Sequence, residues 1–238
     1  MRIGAAPMSE RRSALCDEDL TAAVGDLFVH DDRLRGMEVK GEADGGVVHL
    51  TGDVDEEADL ARAREVIGRL AGVHAVWDRV RVGGREPLVL DLGCGDQPQY
   101  PTNLGVDLRR TGAVAVQADL SRALPFRDGC ADRIFAVHVL EHLLDFLALV
   151  DECHRLLRPG GVLHVLTPWW RHVNSVADPT HVRMLDTQTV KGICARPGSP
   201  RRWSPLHVGN DGATVFADLT PVAADHQVPA TRSARFFD

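Results

Sequence analysis

Lysine is nearly absent: Lys40 and Lys191 stand alone among 27 basic side chains, a usage that reflects a GC-rich genome rather than a function. A basic excess is missing too. The 34 Asp and Glu residues leave a net charge of −7, so the chain lacks the electrostatic footprint of a nucleic-acid binder. No apolar run approaches the roughly 20 residues that cross a bilayer. Met1 to Arg12 is polar and lacks the apolar core of a secretory signal. The five cysteines (Cys16, Cys94, Cys130, Cys153, Cys194) are odd in number and never fall as Cys-x-x-Cys. They argue against a disulfide framework or zinc knuckle and suit a reducing compartment. These absences point to a soluble, cytoplasmic chain. With 238 residues, 44% of them hydrophobic, it has room for one large domain or two modest ones.

Residues 1–16 carry no periodic pattern and read as a mobile leader. Leu20, Ala23, Val24, Leu27 and Phe28 then share one helical face, with Asp17 or Asp19 available as N-cap. Two β-like runs, Met37–Glu42 and Val47–Gly52, flank Asp44-Gly45-Gly46, a hairpin-turn composition. Asp55 is placed to cap a second helix whose Leu60, Ala63, Val66, Ile67 and Leu70 align, and Gly72 marks its end. Ala75–Val82 reads as a third strand, giving an αββαβ sandwich over residues 17–83. Residues 84–87 read as a linker, flexible at Gly83-Gly84 and ended by Pro87.

The stretch Leu88–Asp96 organises the rest. Leu88-Val89-Leu90 is an unbroken apolar run, as in a buried parallel strand, and leads into Asp91 and two glycines one residue apart. Gly93 and Gly95 can take positive φ and let a ligand lie against the backbone at the carboxyl end of the strand. The next strand, Asn103–Asp107, ends on a carboxylate positioned for ribose hydroxyls, with Leu108 beside it. The run between these strands holds Pro98 and Pro101, which predicts a loop in place of a crossover helix; Leu108–Gly112 is shorter still. Further strands are expected at Ala113–Gln117, Asp132–His138 and Val162–Leu166. A helix from Asp145, another over Asp186–Ala195 and a closing hairpin of Trp203–Val208 with Ala213–Leu219 complete the domain, 88–220. Residues 221–238 read as a polar tail.

Two resemblances sharpen this reading. Gly46-Val47-Val48-His49-Leu50-Thr51-Gly52-Asp53-Val54 and Gly72–Val80 resemble the BON domain, a bacterial module associated with membrane-surface or protein interaction. Here that implies docking or dimerisation, because the signal peptide of its extracytoplasmic members is lacking. From Leu88 to about Pro168 the chain resembles the class I S-adenosylmethionine-dependent methyltransferases. Val89–Gly95, Ala118-Asp119-Leu120, His138-Val139-Leu140-Glu141-His142 and Leu157–Leu163 carry the likeness. The resemblance implies an α/β fold: a Rossmann-like seven-stranded sheet with shortened first crossovers, behind the small α+β BON-like domain. It further implies S-adenosylmethionine as cofactor, with Asp91 near the methionine amine and Gly93, Cys94 and Gly95 beside the sulfonium. Asp107 and Leu108 fall at the ribose, Asp119 and Leu120 at the adenine, and His138 near the methionine part.

Methyl transfer needs little acid–base chemistry, because the sulfonium is already activated and the leaving thioether is neutral. His142 and His181 are the candidate catalytic residues, since an imidazole titrating near neutrality can remove an acceptor proton. Trp169 and Trp170 are placed to wall an apolar acceptor. Convergence of His138, His142, His172, Asp178 and His181 would suit zinc or iron, although their spacing enforces no metal site. The acceptor is expected to be a small molecule, with neither nucleic acid nor membrane as partner. Two other readings share the same residues: a cofactor-binding scaffold or sensor without turnover, and a metal-dependent enzyme of another reaction class.

Overall fold

In a computed structural model the structure describes residues 7–226 and 229–237. The chain forms two compact units, 1–87 and 88–238.

The first unit runs α1 (Pro7–His30), β1 (Glu38–Asp44), β2 (Val47–Val54), α2 (Glu57–Ile67), β3 (Ala75–Asp78) and β4 (Arg81–Val82). β1 pairs antiparallel with β2, and both β3 and β4 run parallel to β2. The third strand is thus split, because Arg79 and Val80 leave the ladder while Arg79 N–H still donates to Leu50 O at 2.9 Å. Val24 of α1, Leu60, Ala63 and Ile67 of α2 and Val48 and Leu50 of β2 form one buried cluster.

Four local expectations need correction here. The helix already begins at Pro7, where a leader was expected: Ser9–Leu15 holds neither Gly nor Pro, and extending an existing helix adds one hydrogen bond per residue fixed. Residues 1–6 of the leader lie outside the described residues. Asp17 is interior to α1 and caps the hairpin instead, accepting the N–H groups of Gly45 and Gly46 at 2.8 and 2.9 Å. Asp55 is displaced as cap by Glu56, whose side chain makes no capping bond. Gly83 and Gly84, at φ 57° and 73°, close a tight turn in which Val82 and Arg85 exchange backbone hydrogen bonds. The glycines serve that turn geometry, not a flexible link.

The second unit is built on a seven-stranded sheet of order β10-β11-β9-β8-β5-β6-β7. In chain order its elements are β5 (Val89–Leu92), β6 (Leu104–Asp107), β7 (Val114–Gln117), β8 (Ala131–Val137), α3 (Phe146–Leu156), β9 (Leu157–Pro168), α4 (Asn174–Ala177), α5 (Thr187–Cys194), β10 (Arg202–Asn210), β11 (Thr214–Val222) and α6 (Ala230–Phe237). Strands β5 to β9 are mutually parallel, and β11 runs antiparallel to both neighbours. Neither the β5–β6 nor the β6–β7 connection contains a helix, the trimmed crossovers expected from the prolines. Between β7 and β8 the Arg155 guanidinium takes over the work of a helix, donating to Phe126 O, Leu124 O and Glu152. The Arg158-Pro159-Gly160-Gly161 run, expected to precede β9, lies inside it as an irregularity between the Ala131 and Arg133 pairings. The expected tail is largely α6, with Phe237 buried and Phe236 against the core; residues 227, 228 and 238 lie outside the described residues. Among the described residues no helix is long and apolar enough to cross a membrane.

Candidate functional site

Parallel strands end their ladders with carbonyls and side chains aimed past the sheet edge, and β5, β6 and β8 deliver the candidate residues there. Leu90, Leu92, Val106 and Ile134 are almost wholly buried and fix these strands. Asp132 ties their starts together: its Oδ2 accepts Leu88 N–H at 2.7 Å, and its Oδ1 meets Arg158 of β9.

Beyond β5 the chain turns at Gly93 (φ 66°) and Gly95 (φ 57°). At Gly93 the absence of a side chain is required twice over, because a Cβ would also stand 2.7 Å from Val139 Cγ2. The turn is clamped from β6. Asp107 accepts Gly95 N–H through Oδ2 at 2.9 Å and Arg109 N–H through Oδ1 at 2.8 Å. Thr111 Oγ1 donates to Gly95 O at 2.7 Å, completing the frame. Cys94 is buried, and burial pushes its thiol up, so it is uncharged at neutral pH.

Asp91, expected beside the methionine amine, is only 1% exposed. Its Oδ2 accepts Gln99 N–H at 2.6 Å and Asn103 Nδ2 at 2.9 Å, so the carboxylate secures the helix-free return to β6. Burial raises its pKa against these hydrogen bonds. Gln99 and Asn103 escaped the sequence reading, and the proline-bounded loop before β6 was the signal that pointed to them. Asp119 sits beyond β7, partly exposed, and accepts both the N–H and Oγ of Ser121, which lower its pKa. Leu108 is 62% exposed beside Asp107, an apolar surface at the strand end, whereas Leu120 packs partly against the core.

His138 ends β8 at φ 55°, the one non-glycine residue with positive φ among those described. Such a conformation costs on the order of 1 kcal/mol and recurs at functional sites. It turns the exposed ring toward Glu141, with Nδ1 3.1 Å from Oε1. Glu141, missed as a site residue although it lies between the two histidines, is 1% exposed and accepts Thr167 Oγ1 through Oε2. A short 3-10 turn, Leu140–His142, sends Glu141 inward and His142 outward. Across the gap comes the segment after α4. The His142 and His181 rings meet edge to face at 4.7 Å, and Glu141, His142 and His181 each offer a ligand atom within 4.8 Å of the others. His172 stays apart, its Nδ1 accepting Asn174 N–H at 3.3 Å. Asp178 is bound to Thr180, whose hydrogen bonds lower its pKa. Trp169 packs on the core, while Trp170 is 42% exposed under the Arg171 guanidinium.

The chain is similar to several known proteins. Residues 90–165 match the family model of a methyltransferase domain, and residues 17–84 match that of the BON domain. A probable S-adenosylmethionine-dependent methyltransferase of Mycolicibacterium smegmatis (strain ATCC 700084 / mc(2)155) is 35% identical over 115 residues. That match spans 40% of this chain and 43% of the relative, so less than half of each is compared. Solved structures similar to the chain include an S-adenosylmethionine-dependent methyltransferase from Aquifex aeolicus, at 18% identity and a TM-score of 0.40, covering 56% of this chain and 81% of that one. Another, from Mesorhizobium loti, shows 16% identity and a TM-score of 0.42 over 56% and 90% of the two chains. Residues 90–165 are thus similar to a methyltransferase domain and residues 17–84 to a BON domain, and part of the chain is similar to a probable S-adenosylmethionine-dependent methyltransferase.

Proposed function

We propose that the protein transfers the methyl group of S-adenosylmethionine to a small-molecule acceptor. The observation that carries this reading is the Asp107-clamped glycine turn after β5, beside β8, whose end leads into His138, Glu141 and His142 with His181 brought close to them. In it, Gly93, Cys94 and Gly95 offer backbone to the methionine end of the cofactor, and His138 borders that end. Asp107 takes the ribose hydroxyls, sharing oxygens now used by two N–H groups, and Leu108 and Leu120 flank an adenine whose amine meets Asp119. Asp91 holds the return loop on which this cradle rests.

Such a site acts mainly by alignment. S-adenosylmethionine, when bound, would supply an already activated methyl group with a neutral thioether as leaving group, and the surrounding residues would align the acceptor with it. The acceptor proton is lost on the side where His142 and His181 meet. Exposed Trp170, Val173 and Val176 supply an apolar approach to that side, suited to a small organic acceptor. The negative net charge argues against nucleic acid. The scattered free cysteines suit the cytoplasm.

The BON domain is assigned to docking or dimerisation; light scattering on the full chain tests this, a strictly monomeric mass removing the dimer. For the reaction itself, methyl-labelled cofactor incubated with fractionated metabolites should yield a labelled small molecule. Cofactor binding without any labelled product would instead favour a scaffold or sensor.

A further inference from the structure

We infer that Glu141, His142 and His181 form a binding site for one divalent cation of the zinc and cobalt class, built where β8 ends beside the segment following α4. Their candidate ligand atoms lie within 4.8 Å of one another. Ligands of a tetrahedral zinc ion sit about 3.4 Å apart, given bonds of about 2.1 Å. Closing the difference takes small side-chain rotations, and His142 is exposed and able to make them.

The hydrogen bonds behind the two imidazoles fix their tautomers. His181 Nδ1 lies 3.1 Å from Ser175 O, a carbonyl that can only accept, so Nδ1 carries a proton and in the neutral ring the lone pair is on Nε2. For His142 the direction is set by a relay. Thr180 Oγ1 donates its single hydrogen to Asp178 Oδ1 at 2.6 Å and must therefore accept from His142 Nδ1, at 3.0 Å. Thr180 O, 3.3 Å from the same Nδ1, makes the same demand. Both rings thus have Nδ1 anchored by an outer partner, the arrangement that orients metal-bound histidines, with Nε2 as the ligand nitrogen; that of His181 also lies 3.9 Å from Asp178 Oδ2.

The third ligand is a buried carboxylate whose oxygens are met by His138 Nδ1 and Thr167 Oγ1. Glu141 is 1% exposed, and its recorded ion-pair partner among the described residues is the imidazole of His138, with neither Arg nor Lys involved. Buried carboxylates are ordinarily paired or metal-bound. Two neutral imidazoles and one carboxylate make a set suited to zinc or cobalt and poorly suited to magnesium, which favours six oxygens. With three protein ligands and His142 exposed, a fourth tetrahedral position would be open to solvent.

One consequence rests on the methyl-transfer reading; the site itself does not. An acceptor hydroxyl bound at the open position would be acidified. Its proton would pass to water, and its oxygen would form the bond to the methyl carbon as the carbon–sulfur bond breaks. The two imidazoles would then serve as ligands instead of as bases.

The test uses the full untagged chain, stripped with chelator, titrated with ZnCl2 by calorimetry and with CoCl2 by visible absorption, with S-adenosylhomocysteine binding measured on the same samples. One tight site per chain is expected, with cobalt bands of low coordination number. His142→Ala and His181→Ala should each weaken it about tenfold to a hundredfold, while His172→Ala leaves it unchanged. Glu141→Gln is informative if it folds; His142, being exposed, carries the test if it does not. Failure of wild type to bind either metal more tightly than the His142→Ala/His181→Ala double variant overturns the inference, whether or not the cofactor binds. Metal binding without cofactor binding would keep the site and count against the methyl-transfer reading.

Discussion

Asp107 Oδ2 accepts the backbone N–H of Gly95 at 2.9 Å, so the acid at the end of β6 holds the glycine turn at the end of β5. The same carboxylate takes Arg109 N–H on its other oxygen. Asparagine can accept with only one oxygen, and its amide would face an N–H. Asp107→Asn should therefore lose about 1.5–3 kcal/mol of stability, the worth of a hydrogen bond to a charged group. Urea unfolding of the two proteins measures this; equal midpoints would show that the clamp is not strong.

Gly93 and Val139 form a second pair across the site. A methyl group at Gly93 would stand 2.7 Å from Val139 Cγ2 and also sit at φ 66°. Gly93→Ala should cost about 1–3 kcal/mol through overpacking and strain. Adding Val139→Ala should recover the steric part, so the double variant is expected to be more stable than the sum of the single changes predicts. Strict additivity in a thermal-unfolding cycle would mean that backbone strain alone sets the cost.

Acid should act through Glu152. Its hydrogen bonds from Arg155, assisted by Leu124 N–H, lower its pKa below the ordinary 4.5. A depressed folded pKa means stability that is fully present above the unfolded value and lost as pH falls through the folded one. Wild type should thus lose melting temperature faster than Glu152→Gln below about pH 4.5. Asp91 has the opposite sign. Its pKa is raised by burial, so its contribution declines as pH rises from the unfolded toward the folded value. Asp91→Asn should remove that decline, and parallel pH profiles for wild type and either variant would contradict the assignment.

His164 and Asp218 face each other across β9 and β11, with Nδ1 and Oδ1 2.7 Å apart and the imidazole wholly buried against Phe135. Removing the acid leaves a buried ring nitrogen without this partner. Asp218→Ala should destabilise the chain by about 1–3 kcal/mol. Guanidinium unfolding checks it, and a change below about 0.5 kcal/mol would show that the pair breaks even with its desolvation.

Much of this was legible in the sequence because it depends on local chemistry. Apolar runs ending on Asp91 and Asp107 marked β5 and β6, Pro98 and Pro101 excluded a crossover helix, and Asp186 capped α5 as its position implied. What escaped depends on partners distant in the chain. Asp17 looked like a helix cap because nothing local shows that Gly45 and Gly46 fold onto it. Asp91 read as a ligand contact, while its engagement by Gln99 and Asn103 is set by the path of a helix-free loop. Glu141 was visible beside His142, but its meeting with His181 requires the segment after α4 to return to the end of β8. The order α3, β9, α5 was readable; the short helix α4 and the return of the loop between β9 and α5 were not.

The central claim is that the turn held by Asp107 binds S-adenosylmethionine, and calorimetric titration of the full chain with S-adenosylhomocysteine tests it most directly. Wild type should bind one equivalent, and Asp107→Ala, with its fold checked by circular dichroism, should bind about tenfold to a hundredfold more weakly through loss of the charged acceptor. No heat from a folded wild type, or equal affinity in the variant, would contradict the account.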